Sequence, residues 1–449
     1  MEAQKFDNAK AHEYVQAKWQ EKGGIVETLC KYIEIPNVTP DYDDEWNTNG
    51  HQMRAVELLT SWVKAQNVIK DDNRTPLILM EVPASDPAKN AEPCVLLYGH
   101  MDKQPPLTDQ WEEGLGPYKP VIRDNKGAAH PRCVVLIEGG EESDIDDLQV
   151  YIKKLHSRIG EAGLVICLDS GCGDYERLWL TTSLRGILAG TLKVTTLKEG
   201  LHSGGAGGIV PSSFRIVRHV LDRLEDSATG RILVDALHVD IPAQRVQQAQ
   251  EVGAFLDKRV YLDLPLVEGA SPVHTEPAEL LLNNTWRPQL AVTGADGFPA
   301  IKSAGNVLRP YTAVKLSIRL PPTADAMKAT AAVKQLLEKD PPYGAKVEFI
   351  TETPDAGWSS PILAPWLDAG ITEASQSFFG NPPLQMGEGG SIPFMGLLGN
   401  MFPRAQFVIT GVLGPGSNAH GPNEFLHIPT GERVTATVAL LLNLAANHL

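Results

Sequence analysis

Histidine and carboxylates recur in this chain at one kind of position, just past the end of a short apolar run. Val95-Leu96-Leu97-Tyr98 ends in Gly99-His100-Met101-Asp102. Cys133-Val134-Val135-Leu136-Ile137 ends in Glu138-Gly139-Gly140-Glu141-Glu142. Leu164-Val165-Ile166-Cys167-Leu168 ends in Asp169-Ser170-Gly171. Gln406 to Val412 is followed by a Gly/Pro/Asn loop that carries His420. Such runs predict buried strands of a parallel sheet. Ligands of open α/β sheets collect beyond the carboxyl ends of the strands. A histidine there, with an aspartate two residues on, suits a metal ligand whose ring a carboxylate orients. Each motif alone reads as an ordinary polar strand end. Four at one structural position predict a site. Nitrogen and carboxylate donors without thiolates suit zinc, manganese or cobalt, and the carboxylate share allows two ions.

Glu141 and Glu142 are adjacent. On a continuing strand their side chains diverge, whereas a loop at the strand end lets both face a cavity. A glutamate that is not a ligand can take a proton from water and later hand it to a leaving amine. His202 sits in a glycine-rich turn with Gly204-Gly205 and Gly207-Gly208, which permits close backbone approach. Arg319 lies on the polar face of an alternating run, and its fork of donors suits a carboxylate. Gly389-Gly390-Ser391 could hold an anion through backbone N–H groups. The histidines at 12, 51, 130, 156, 219, 238, 274, 427 and 448 form no constellation.

The elements that must position these residues are readable in outline. A helical pattern runs from about Ala11 to Ile35, stopped by Pro36. Met53, Val56, Leu59, Trp62 and Val63 predict an amphipathic helix before the first strands, of which Leu77-Ile78-Leu79-Met80 is one. The middle of the chain changes character. Leu192 and Val194 alternate with polar neighbours, and so do Val314, Leu316, Ile318 and Leu320. That pattern predicts an antiparallel sheet with one exposed face. Helices are expected from Ser212 to Asp226 and from Ala324 to Glu338, the latter after a Thr323 cap. This α+β region, 188–355, reads as a domain inserted into a first domain made of 1–187 and 356–449. A last helix, Thr430 to Asn447, returns to the first domain. Between Asp102 and Cys133 the chain is rich in proline and glycine, and no crossover helix fits there.

With 449 residues, 43% hydrophobic and 21% charged, the chain has the composition of a two-domain globular protein. A net charge of -15 with no basic stripe argues against a nucleic-acid partner. No apolar stretch is long enough to span a membrane, and the N-terminus lacks the pattern of a secretory signal. Five cysteines without paired spacing suggest reduced thiols and a cytoplasmic setting.

Taken together, the motifs G-H-M-D at 99–102, G-E-E-S at 140–143, C-L-D-S at 167–170, L-H-S-G-G-A-G-G at 201–208, E-G-G-S-I-P at 388–393 and N-A-H-G-P-N-E at 418–424 resemble the M20 di-metal peptidases, and within them the carnosinase-like cytosolic dipeptidases. The resemblance implies an α/β catalytic domain, mostly parallel-sheeted with helices on both faces, of the zinc-peptidase type. It also implies an inserted α+β lid domain through which two chains dimerise. By resemblance, His100 and Asp169 hold one divalent ion, and Glu142 and His420 a second, zinc first with manganese or cobalt as alternatives. Glu141 is then the general base of a metal-activated water, and Asp102 orients His100. His202 matches a histidine that polarises the scissile carbonyl in the partner subunit's site. Arg319, Gly389, Gly390 and Ser391 match positions that bind a substrate carboxylate, and Asn306 lies near another substrate position. The implied reaction is hydrolysis of the amide bond of a dipeptide or short peptide with a free C-terminal carboxylate.

One departure stands out. The family's metal-bridging aspartate lies in a G-R-G-x-x-D-[D/M/N]-x-G segment that opens a helix, and no such segment is recognisable. Asp124, in Pro120-Val121-Ile122-Arg123-Asp124-Asn125-Lys126-Gly127, is the candidate bridge. Two other readings follow: an N-acyl-amino-acid deacylase using the same metals, and a catalytically impaired binding homologue. A serine hydrolase would need a G-x-S-x-G elbow, which does not occur.

Overall fold

The computed structural model describes residues 6–62, 67–71, 74–91, 93–104, 131–142 and 146–449. The chain divides into two compact units: Met1–Thr181 with Ser360–Met386 and Leu397–Leu449, and Thr182–Ser359 with Gly387–Gly396.

The first unit is organised on a six-stranded sheet. Its strands lie in the order Asn67–Asp71, Arg74–Val82, Cys133–Glu138, Cys94–His100, Ala162–Cys167, Gln406–Ile409. The last four in that order are mutually parallel, and the first two add antiparallel pairings at one edge. Strands buried on both faces need no polar alternation. That is why Val95, Leu96, Leu164 and Val165 form unbroken apolar runs, each 0% exposed. Val95, Leu164, Ile166 and Val408 pack with Val15 and Trp19 of helix Asn8–Gln20, Leu367 and Ile371 of helix Pro365–Ala374, and Leu441 of helix Ile428–His448. Each such buried side chain contributes about 1.5–3 kcal/mol over its exposed state. Met53, Val56 and Leu59 of helix His51–Trp62 pack with Ile78, Met80, Met101 and Ile137. This is the mixed α/β fold expected from the sequence, with the mostly parallel sheet in place.

Several local expectations need correction. The single helix expected over Ala11–Ile35 is two, Asn8–Gln20 and Ile25–Ile33. Gly23 turns left-handed at φ 76, and a Cβ on Gly24 would sit 2.5 Å from the Lys18 carbonyl oxygen, so the chain folds back where only glycine fits. The Ser212 helix is Ser213–Leu221, capped by the Ser212 hydroxyl accepting from the Arg215 N–H at 3.4 Å, and it ends in tight turns from Leu221 to Leu224. The later helix is Ala326–Glu338, and its cap is Asp325, not Thr323. The Asp325 carboxylate accepts from Lys328 N at 3.0 Å, while the Ala324 N–H is already spent on the Pro321 carbonyl at 3.0 Å. The strand expected to reach Val412 ends at Ile409. Beyond it, Thr410 N donates to the Cys167 carbonyl at 3.0 Å, and Gly171 pairs with Leu413, so two strand ends run on side by side.

The second unit carries a four-stranded antiparallel sheet in the order Lys346–Thr351, Gly186–Thr195, Tyr311–Leu320, Gln289–Asp296. Burial alternates strictly along Gly186–Thr195. Leu188, Leu192, Leu316 and Ile318 point to a core completed by Ile216, Val217 and Val220 of one helix and Ala329, Val333 and Leu337 of another. A helical pair, Ala243–Leu256 and Pro277–Thr285, packs through Ala249, Leu282 and Trp286. Its backbones approach closely at Gly253, where a Cβ would lie 2.8 Å from Ala278 N.

Candidate active site

In the first unit, neighbouring parallel strands bring the motifs together. His100 closes the strand Cys94–His100, in register with Glu138 of the adjacent strand. The chain then turns, and Asp102 comes to lie beneath the imidazole. Its carboxylate is fully buried and lies 3.3 Å from His100 Nδ1. The same carboxylate accepts the backbone N–H groups of Glu141 at 3.2 Å and Glu142 at 3.0 Å. One side chain thus fixes the ring and the loop after the next strand. With Nδ1 committed to Asp102, Nε2 of His100 is left facing outward, 3.8 Å from Asp169 Oδ1. His100, Glu141 and Asp169 each offer a donor atom within 4.8 Å of the others. Beside them, His420 Nε2 lies 3.5 Å from Glu142 Oε1, and the other Glu142 oxygen accepts from Gln104 Nε2 at 2.6 Å.

The loop elements are shaped for this. A Cβ on Gly411 would stand 1.8 Å from the Ser170 carbonyl oxygen, so only glycine lets the two strand ends run close enough to support Asp169. His420 is held left-handed at φ 58, between Asn418 at 56 and Asn423 at 61. Asparagine tolerates that region; histidine adopts it at a cost, as strained residues at functional sites often do. The Glu424 carboxylate accepts from the His420 backbone, and burial raises its pKa.

Charge is concentrated here. Burial, with Asp169, Glu142 and Glu138 nearby, pushes Glu141 up to about 8 against the opposing influence of His100. Burial and Asp102 likewise push Glu138 up to about 7. His100 is held well above its usual value: its burial is outweighed by hydrogen bonds to Asp102 and Asp169. The donor set fits a divalent cation. It offers an oriented imidazole and carboxylate oxygens, and its buried negative charge is costly until a cation offsets it.

Residues without a sequence signal support the frame. Tyr32 OH and Asn37 Nδ2 both donate to the Met101 carbonyl. Lys103 Nζ reaches the carbonyls of Tyr32 at 2.8 Å and Ile35 at 2.5 Å, and Asn37 Oδ1 at 2.9 Å. Thr39 N donates to the Lys103 carbonyl at 2.9 Å, and its hydroxyl bonds Asp102. Tyr32 lies in the helix Ile25–Ile33, while Asn37 and Thr39 after that helix and Lys103 after the strand Cys94–His100 lie in irregular segments that no periodicity marks. Glu424 and Gln104 could have been singled out, since both stand inside or beside the motifs. Asp124 lies outside the described residues.

The remaining candidates lie in the second unit. Leu201–His202 pairs with Val307–Leu308, His202 opposite Val307, and Ser203 N donates to the Asn306 carbonyl at 2.9 Å. His202 and Asn306 are therefore neighbours, both exposed. Arg319 is half-buried on the polar face of its strand, and burial lowers its pKa. The Gly389-Gly390 turn is tied to Arg185, whose backbone N–H and Nε donate to the carbonyls of Gly390 and Gly389, both at 3.0 Å. A Cβ on Gly389 would lie 2.6 Å from Asn284 Oδ1, so the Asn284 side chain packs directly on this glycine.

The fold is of the kind seen in M20 peptidases, with a catalytic and a dimerisation domain. The sequence pattern of the M20 peptidase dimerisation domain matches residues 182–345. Among proteins of known activity, the chain is similar to cysteinylglycine-S-conjugate dipeptidase of Corynebacterium striatum, 29% identical over 321 residues that cover 70% of this chain and 68% of that one. It is also similar to the Cys-Gly metallodipeptidase DUG1 of Candida albicans, 26% identical over 83% of this chain and 84% of that one. The fold matches human carnosine dipeptidase 1 with a TM-score of 0.72 at 21% identity, covering 94% of this chain and 96% of the other. The resemblance read from the motifs is borne out, and the relatives are dipeptidases of the M20 metallopeptidase family.

Proposed function

We propose that the protein is a metal-dependent dipeptidase, hydrolysing the amide bond of dipeptides or short peptides with a free C-terminal carboxylate. The observation that carries this reading is the convergence of His100, Glu141 and Asp169 beside the Glu142–His420 pair. His100 and Asp169 would hold one divalent ion, Glu142 and His420 a second, with zinc the first choice. Asp124 is kept as the bridging ligand of the proposal. A bound divalent ion supplies Lewis acidity, lowering the pKa of water to about 7 and polarising a carbonyl.

The chain's own residues do the rest. Asp102 holds the His100 tautomer, leaving Nε2 as the donor. Glu141, within reach of His100 and Asp169, takes a proton from water and delivers it to the leaving amine. In the second unit, Arg319 and the Gly389-Gly390-Ser391 turn hold the substrate's terminal carboxylate, with Asn306 contributing to substrate binding. His202 donates to the scissile carbonyl, from the partner chain of a homodimer. All five cysteines are free and buried, which supports a reducing, cytoplasmic setting.

The test is dipeptide turnover, across a panel of side chains, before and after removal of metal with a chelator. Turnover should vanish on stripping and return with zinc or manganese. Turnover unchanged in metal-free protein would contradict the reading.

A further inference from the structure

Arg185 is a buried cation with an idle arm. The residue is 6% exposed. Its backbone N–H and Nε are spent on the carbonyls of Gly390 and Gly389, as described, but Nη1 is buried with no hydrogen-bond partner. Buried polar groups are almost always paired, and an idle donor on a charged group is costly. A second orphan lies two residues earlier. Ser183 is 0% exposed, and its Oγ is likewise buried and unpartnered. Residues i and i+2 of extended chain share a face, and Ser183 Oγ lies 2.5 Å from where a Gly387 Cβ would be, in the strand Leu384–Glu388 that leads into the turn. The charge that acts on Arg185 is a second cation. Burial and the Arg319 charge together push Arg185 down to about 10. Arg319 stands opposite Ile187 on the paired strand, two residues from Arg185, and Asp355 acts on Arg319, so two guanidinium groups share this region with one carboxylate, an idle donor and a glycine turn. That arrangement is unfavourable until an anion joins it.

We propose that Arg185 is the second arm of the substrate-carboxylate site: Nη1 donates to the terminal carboxylate alongside Arg319, while Nε holds the Gly389-Gly390 turn in place. The inference rests on the dipeptidase reading given above. It makes a free carboxylate a condition of good binding, because a neutral C-terminus leaves the buried Arg185 Nη1 without an anionic acceptor.

The experiment compares kcat/KM for the best dipeptide of the panel and for its C-terminal amide, in the wild type, Arg185→Gln and Arg185→Lys. The wild type should favour the free carboxylate. Arg185→Gln should cut that preference by roughly 10- to 100-fold, chiefly through KM for the carboxylate form. Arg185→Lys keeps the charge but loses the fork, and should fall between the two. A wild type with no preference overturns the free-carboxylate reading itself. A wild-type preference kept in full by a folded variant overturns the role of Arg185 alone. Arg185→Gln and Arg185→Lys both failing to fold would make Arg185 a structural residue and also overturn the proposal.

Discussion

Asp102 carries more of the site than its position in a four-residue motif suggests. It orients His100 and accepts the backbone N–H groups of both Glu141 and Glu142. Its loss therefore disturbs three site residues at once. Asp102→Ala should weaken metal binding by roughly 10- to 100-fold, measured by competition with a chelating indicator. Unchanged affinity would separate the orienting contact from metal retention. The residues of the motifs were legible because their chemistry is local: a histidine and carboxylates at strand ends. What was not legible is the support beneath them. Asn37 and Thr39 act from one irregular segment and Lys103 from another, and their hydrogen bonds to Met101, Asp102 and each other arise only when these distant segments meet. Arg185 was equally silent in the sequence, since an arginine between Leu184 and Gly186 shows neither its burial nor its idle arm.

At the scale of elements, parallel strands do the positioning. The apolar runs were readable as strands because burial on both faces removes polar alternation, and the antiparallel sheet was readable because one face keeps it. Boundaries were less so. The Gly23-Gly24 break, the Asp325 cap and the early end of the Gln406 strand are each decided by a single turn or carbonyl, which periodicity averages away. The junction of the Cys167 and Ile409 strand ends is the most demanding of these. Gly411 packs its backbone on Ser170, directly after Asp169. Gly411→Ala should cost about 1–3 kcal/mol or more in thermal unfolding and lower metal retention with it. A variant with wild-type stability would show that the junction has slack.

At the scale of the whole chain, the fold divides the labour between two units, one with the metal-ligand candidates and one with the carboxylate-binding candidates and His202. The M20 dimerisation pattern over residues 182–345 leads us to expect a homodimer by light scattering after size exclusion. If His202 serves the partner's site, mixing inactive His202→Ala chains with inactive Glu141→Gln chains should restore part of the activity through heterodimers. Mixing that restores nothing, in a confirmed dimer, would confine each site to one chain. The central claim is that Glu141 moves the proton in a metal-dependent hydrolysis. Its most direct test is dipeptide turnover by Glu141→Gln alongside metal content per chain. Glu141→Gln should lower kcat by about 10²- to 10⁴-fold with wild-type metal content. A metal-loaded Glu141→Gln protein that hydrolyses dipeptides at the wild-type rate would contradict it.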